Sequence, residues 1–148
     1  ETASSRTRFL RPSAAGSFTV PATAQNVISV AAYDSLTDSY ADFSGRAFQV
    51  LPWAGKPDLA APGVDIQTST PGGGYRSVSG TSFATPFVTG SAALLMEWGI
   101  INGEDPFLYG EKVKAYLRRG ARELPGFSET PNFRVGYGAL CVEDSIPT

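Results

Sequence analysis

One stretch of the chain, residues 81–98, has almost no polar face, and it limits the folds that the chain can adopt. Small and large apolar residues alternate along it: Ala84, Gly90, Ala92, Ala93, and Phe87, Val88, Leu94, Leu95, Met96. This composition predicts a helix buried on most sides, with Gly99 at its C-terminal stop. Because Glu97 interrupts the apolar run, we expect it to be too short to cross a bilayer.

Short apolar runs elsewhere predict strands around this helix. Residues 26–34, NVISVAAYD, are rich in β-branched residues and predict a strand buried on both faces of a parallel sheet. Further extended segments are predicted at residues 48–51, 64–69 and 138–142, a polar connector at 34–47, and a hairpin-like turn at 72–74. Strands that alternate with helices indicate an α/β fold with a parallel sheet.

A second helix, within residues 110–124, has the pattern of an amphipathic surface helix. Val113, Tyr116 and Leu117 are predicted to point inward, and the basic residues outward: Lys112, Lys114, Arg118 and Arg119. We interpret this basic cluster as a solvated face rather than a nucleic-acid surface. The net charge of −2 gives no electrostatic reason to expect a nucleic-acid partner.

The length of 148 residues suits a single domain. Residues 1–17 are polar and aperiodic, which predicts a loop or disordered arm before a folded unit at residues 18–148. The lone cysteine, Cys141, excludes an internal disulfide. We expect it to be a small buried residue in a terminal strand.

Ser82 lies where the apolar helix is predicted to begin. Backbone N–H groups at a helix start are unpaired, and the helix dipole adds positive potential there. Gly80 leaves room for an incoming group, whereas Pro86 removes one helical donor. Ser82 is therefore either an N-cap residue or an exposed nucleophile, but the chain contains no histidine that could serve as its base.

The segment GTSFATP, residues 80–86, resembles the Gly-Thr-Ser-x-Ala-x-Pro motif around the nucleophile of the subtilisin-like serine proteases. Three upstream segments resemble that family in the same order: VPATAQNVISVAAYD, YADFSGR and KPDLAAPGVDIQTS. Segments further along, such as TPFVTGSAALLMEWGI, are similar to a clostridial subgroup that includes the Csp-type germination proteases.

The resemblance implies a subtilisin-like three-layer α/β fold of which only the C-terminal half is present. It makes Ser82 the catalytic nucleophile, with its backbone N–H in the oxyanion hole, and it gives Gly80 and Thr81 a substrate-binding role. The family's aspartate and histidine are expected upstream of Glu1. The implied function is a serine endopeptidase, secreted or associated with the cell envelope and inactive as this isolated chain; the alternative is a non-catalytic pseudoprotease that binds a partner or signal.

The resemblance also implies a weak cation site formed by carbonyls near Ala22, Ala24 and Val27 together with Asp58. Such oxygen ligands suit calcium or sodium, although a buried structural role for Asp58 stays open, and the chemistry itself needs no cofactor. The expected partners are a peptide or protein substrate and the N-terminal half of the same domain, without nucleic acid or a membrane span. An unpaired half-sheet exposes edges and apolar surface, so we expect the isolated chain to self-associate.

Overall fold

In the computed structural model, which describes residues 10–48 and 56–147, a small sheet carries the apolar helix on one face. The strands are β1 (Val30–Asp34), β2 (Ser39–Tyr40), β3 (Leu59–Pro62), β4 (Ile66–Ser69) and β5 (Tyr75–Val78). The helices are α1 (Thr81–Met96), followed by a π-helical turn (Glu97–Ile101), α2 (Gly110–Arg119) and α3 (Val142–Ser145).

The sheet is built on the parallel pair β1 and β3, in which Ala31 lies opposite Ala60. The short strand β2 adds antiparallel to the outer edge of β1, within a region predicted to be a connector. On the other edge of β3, Ala60 forms a single parallel bridge with Ala139. The predicted α/β fold with a parallel sheet is therefore confirmed, and the first strand begins at Val30 rather than Asn26.

Side chains alternate between the two faces of this sheet, as strand geometry requires. Ala32 and Ala61 face α1 and pack in one cluster with its Ala84, all three fully buried. Ala31 and Ala60 lie in a second cluster with Val135, which covers the opposite face. Because the residues between α1 and the sheet are small, the helix backbone approaches the strands closely.

Only one side of α1 is buried, so the prediction of burial on most sides is wrong for this chain. Ala84, Val88, Ser91 and Leu95 face the core, whereas Phe87, Leu94 and Ile101 are 42%, 50% and 77% exposed. The helix with its π-helical turn, Thr81–Ile101, is long and apolar enough to cross a membrane by length and composition, contrary to our expectation. Its packing against the sheet is that of a core helix.

The end of this helix also differs from the prediction. Gly99 does not terminate it, because the chain continues through the π-helical turn to Ile101. A Cβ at Gly99 would lie 2.8 Å from Leu108 Cδ2, and Asp105 N–H donates to the Gly99 carbonyl at 3.0 Å. Gly99 is therefore needed for close packing, and Gly103, at φ +82°, has the positive φ expected of a stop.

The second helix has the predicted apolar face but not the predicted basic one. Val113 and Leu117 are buried and Tyr116 packs against the same core. Lys114, predicted to point outward, is only 5% exposed, and Arg118 reaches the buried Asp58. These two basic residues are therefore not part of a solvated face.

The strand predicted at residues 138–142 is not formed, and Ala139 makes only isolated bridges to Ala60 and Arg122. Leu140 N–H donates to the Ala60 carbonyl at 2.8 Å, and α3 begins at Val142. Cys141 is half-buried and lies immediately before this helix, not inside a strand. The prediction of a small buried residue in a terminal strand is therefore wrong for Cys141.

The hairpin prediction is confirmed, because β4 pairs antiparallel with β5 across three glycines with φ between +85° and +101°. Of the extended segment predicted at 48–51, residues 49–51 lie outside the described residues. Within the predicted N-terminal arm, Ala15 forms a single bridge with Arg46. The arm's boundary at residue 17 stays a prediction.

Candidate active site

Ser82 is positioned by a backbone connection between the sheet and the start of α1. Gly63, directly after β3, donates its N–H to the Tyr33 carbonyl of β1 at 3.0 Å. The Gly63 carbonyl in turn accepts the N–H of Gly80 at 2.8 Å. The helix therefore begins at the carboxyl ends of β1 and β3, which is where α/β sheets commonly place their ligand sites.

This junction leaves no room for a side chain at Gly63. A Cβ there would lie 2.6 Å from Ala32 Cβ, 3.1 Å from the Gly80 oxygen and 3.3 Å from Ala84 Cβ. Strand β1, the turn at Gly80 and helix α1 therefore all contact the chain at Gly63 directly. The position of Ser82 relative to the sheet depends on this contact.

The geometry of the helix start decides between the two readings of Ser82. Gly80 is the N-cap residue, at φ +157°, a backbone conformation that residues with a Cβ rarely adopt. Ser82 is the second residue of the helix and is exposed, and α1 has no side-chain cap. Within the described parts of the chain, neither the hydroxyl nor the N–H of Ser82 has a hydrogen-bond partner. Ser82 therefore does not cap the helix.

Two neighbours shape the first turn beyond Ser82. Thr85 Oγ1 donates to the Thr81 carbonyl at 3.0 Å, and Pro86 has no N–H to offer the Ser82 carbonyl four residues earlier. The free N–H of Ser82 still points out of the helix N-terminus, where the helix dipole favours negative charge. A serine hydroxyl and an anion-stabilising N–H are thus presented at one exposed point.

A cavity of about 250 Å³ opens beside this point, with Thr81 in its lining. Phe18, Val30 and Phe43 give it apolar walls, and Thr19 and Ala22 come from the segment that precedes β1. Of the described residues at the helix start, only Thr81 lines the cavity, and Ser82 lies next to it in the chain. Its walls come from elements far apart in sequence, so motif reading alone does not reveal it.

No general base accompanies Ser82 among residues 10–48 and 56–147. The sequence contains no histidine, and the hydroxyl of Ser82 touches no carboxylate or amine of the described residues. A serine hydroxyl is a weak nucleophile until a base takes its proton. The arrangement can bind a carbonyl and stabilise an oxyanion, but proton transfer needs a base that the described residues do not supply.

Asp58, at the opposite end of β3 from Ser82, is fully buried among three cationic side chains. Its Oδ2 accepts hydrogen bonds from Lys56 Nζ at 2.7 Å and from Ser29 N–H at 2.7 Å. Its Oδ1 accepts Arg118 Nη2 and lies 3.6 Å from Lys114 Nζ. At about 3.3 Å per residue, the four residues of β3 keep this cluster more than 10 Å from Ser82.

The charge state of this cluster follows from its contacts. Burial alone would raise the pKa of the Asp58 carboxyl, but Lys56, the Ser29 N–H and Arg118 together hold that pKa below its usual value. Burial lowers the pKa of Lys56, and Asp58 opposes this shift. Asp58 is therefore an ionised structural group, the role that the sequence left open.

The predicted cation-site residues do not fit a metal ion. The Val27 carbonyl accepts Lys56 Nζ at 2.7 Å and lies 3.3 Å from Lys114 Nζ, so its lone pairs face ammonium groups. The Asp58 carboxylate faces the same two lysines and Arg118. In the described regions, the carbonyls of Ala22 and Ala24 take no part in this network. A metal ion here would lie beside three positive charges and one negative charge.

Sequence reasoning missed Lys56, Lys114 and Arg118 as partners of Asp58. One signal was available: Lys114 and Arg118 are four residues apart, which places both on one helix face. Their direction could not be read from this spacing, because basic residues on a helix usually face solvent.

Comparison of the sequence with known proteins matches the chain to one family. A model described as the subtilase family, Peptidase_S8, matches residues 10–138. Serine protease AprX of Bacillus subtilis is 34% identical over 86% of this chain and 31% of its own length. Subtilisin Savinase of Lederbergia lenta is also 34% identical, over 76% of this chain and 36% of its own length.

Solved structures give the same result. The CspB protease of Clostridium perfringens superposes with a TM-score of 0.89 and 46% identity, over 95% of this chain and 30% of that protein. The patellamide maturation protease PatA superposes with a TM-score of 0.73 and 33% identity, over 89% of this chain and 46% of its own. The chain thus spans about a third of the length of the curated relatives it matches.

Proposed function

Because this chain belongs to the subtilase family of serine proteases, we propose that Ser82 is the catalytic nucleophile of a serine endopeptidase. The observation that carries the proposal is the exposed hydroxyl of Ser82, which has no hydrogen-bond partner among the described residues and lies at the start of α1 within the family's Gly-Thr-Ser motif. In the proposed reaction, the family's histidine, supplied from outside these residues, takes the Ser82 Oγ proton while Oγ attacks a peptide carbonyl. The C–N bond then breaks as the histidine gives that proton to the leaving amine, and water hydrolyses the resulting acyl-enzyme to the acid and free Ser82.

The backbone N–H of Ser82 serves as one donor of the oxyanion hole. It is unpaired within the described residues and lies at the positive end of the helix dipole, so it can stabilise charge that develops on the carbonyl oxygen. Removal of one such donor in subtilisin costs about 10²–10³-fold in kcat. The second donor comes from outside this chain.

Gly80 and Thr81 bind the substrate beside the nucleophile. A glycine at position 80 leaves the approach to Ser82 open, and Thr81 lines the cavity. The apolar walls of this cavity, Phe18, Val30 and Phe43, favour an apolar side chain next to the scissile bond.

The aspartate and histidine of the family's triad come from a segment outside these residues. Two facts support this: the chain has no histidine, and it spans about a third of its curated relatives. The same segment covers the exposed apolar side of α1 and its π-helical turn, where Phe87, Leu94 and Ile101 face solvent. The isolated chain is therefore inactive. The complete protein is proposed to act outside the cytoplasm or in the cell envelope, as its resemblance to the subtilisins implies.

Steady-state kinetics on the complete gene product test the proposal. The wild type is expected to hydrolyse a peptide substrate, and Ser82→Ala lowers kcat by a factor on the order of 10⁶ at an unchanged melting temperature. Ser77→Ala, an exposed serine of β5, is the matched control and keeps kcat. A complete, folded protein without peptidase activity would overturn the proposal and indicate a pseudoprotease that binds a partner or signal.

A further inference from the structure

Two of the oxygens assigned by resemblance to a cation site, those of Val27 and Asp58, form a small cage in the structure together with the carbonyl of Gln25. The carbonyls of Gln25 and Val27 and the carboxylate of Asp58 converge on the buried end of one side chain, Lys114. Two carbonyls and a carboxylate are the type of oxygen set that a hard cation prefers. The cage therefore has the donor chemistry of a cation site.

Lys114 Nζ lies 2.6 Å from the Gln25 oxygen, 3.3 Å from the Val27 oxygen and 3.6 Å from Asp58 Oδ1. An ammonium group has three N–H donors, and three oxygens surround this one. Its side chain is only 6% exposed and belongs to α2, some ninety residues away in sequence from the loop. The ammonium thus fills the space between these three oxygens, two of which, those of Val27 and Asp58, belong to the predicted cation site.

Lys56 provides a second tethered cation at the same oxygens. Its Nζ connects the Val27 oxygen to Asp58 Oδ2, with both distances at 2.7 Å. With Arg118 on Asp58 Oδ1, three positive side chains share one carboxylate. Electrostatic repulsion opposes entry of a calcium or sodium ion into this arrangement.

The loop held by these lysines leads to the cavity beside Thr81. Ala22, three residues before Gln25, lines that cavity. Val27 is half-buried, and its carbonyl needs a hydrogen-bond donor because unpaired buried carbonyls are costly; the two ammonium groups are the donors it meets. In this chain the ammonium groups of Lys114 and Lys56 fill that role, and they cannot dissociate because they are part of the chain.

We infer that the ammonium groups of Lys114 and Lys56 replace the metal ion at this site, so that the loop at residues 22–27 is held without calcium or sodium. Lys114 is the positioning residue of the loop, and Lys56 joins it to the start of β3. The inference does not depend on Ser82 being catalytic, because it concerns only the cation that the cage contains.

The direct test is crystallographic, on the complete gene product. Crystals prepared in thallium acetate or calcium chloride are examined for anomalous scattering within the cage of Gln25, Val27 and Asp58. We expect no anomalous peak there and density for Lys114 Nζ between the oxygens. A peak from thallium or calcium at these oxygens would overturn the inference.

A variant tests the role of the ammonium itself. Lys114→Ala removes the ammonium, and we expect the melting temperature to fall by roughly 5 °C. Addition of ethylammonium chloride should restore part of this loss, whereas choline chloride at equal ionic strength should not. Lys112→Ala on the same helix is the control: the Lys112 side chain, which pairs with Asp105, is 35% exposed, so this variant gains nothing from ethylammonium. Equal effects of ethylammonium on both variants would contradict the inference, and the crystallographic test stands even if Lys114→Ala fails to fold.

Discussion

Gly63→Ala is the substitution that bears most directly on how the fold positions Ser82. The new Cβ would lie 2.6 Å from Ala32 Cβ and 3.3 Å from Ala84 Cβ, whereas carbon atoms pack at about 3.5–4.0 Å. Ala32 belongs to the central strand β1 and Ala84 to α1, and both are fully buried. Neither alanine can move away from the new Cβ unless its whole strand or helix shifts.

The expected cost follows from this overlap. Forcing one extra carbon into a packed core costs about 1–3 kcal/mol, so we expect the free energy of unfolding to fall by that amount or more. The displaced element carries the Gly80 turn, which is bonded to the Gly63 carbonyl. A displacement of about 1 Å at a reacting group costs on the order of 10²-fold in rate, so kcat should fall well beyond the loss of folded protein.

Urea denaturation and peptide hydrolysis on the complete gene product measure both effects. Gly110→Ala is the matched control, because a Cβ there meets nothing within 4 Å and alanine favours the start of α2. We expect it to keep kcat and to gain up to about 1 kcal/mol. If Gly63→Ala were as stable and active as Gly110→Ala, the proposed junction of strand, turn and helix would be wrong.

Two further predictions concern the charged cluster and the exposed helix face. Asp58→Asn leaves Lys56, Lys114 and Arg118 without a counter-charge and should cost about 3–5 kcal/mol near neutral pH. Since the folded-state pKa of Asp58 is depressed, its stabilisation is present above about pH 4 and is lost as the pH falls through the folded pKa. Acid titrations of unfolding should therefore be flatter for Asp58→Asn, and Asp105→Asn, which removes one pair with the partly exposed Lys112, is the milder control. Parallel curves for wild type and Asp58→Asn would refute this assignment. The isolated 148-residue chain should self-associate through Phe87, Leu94 and Ile101, and Leu94→Glu should weaken the association. Light scattering that shows a monodisperse wild-type monomer would contradict this prediction.

The parts of the fold that depend on local pattern could be predicted from the sequence. The apolar run that became β1 and the glycine-rich turn of the β4–β5 hairpin both carry their signal within a few residues. The start of α1 could be predicted for the same reason. Its exposed side could not, because apolar composition does not say whether the chain itself supplies a covering layer.

The errors share one cause, which is packing between segments distant in sequence. Gly99 looked like a helix stop, but it is required by contact with Leu108. Lys114 looked like a surface residue, but the loop at Gln25 and the buried Asp58 draw it inward. For the site, the motif located Ser82 correctly at a helix start, whereas the cavity beside it and the support from Gly63 needed the structure.

Covalent labelling tests the central claim most directly. The complete gene product is treated in its native state with a fluorophosphonate, digested, and analysed by mass spectrometry of the peptide that contains Ser77, Ser79, Ser82 and Ser91. A single stoichiometric adduct on Ser82, absent from denatured protein, is the predicted result. Folded protein that remains unlabelled, or that is labelled at another serine of this peptide, would contradict the assignment of Ser82 as the nucleophile.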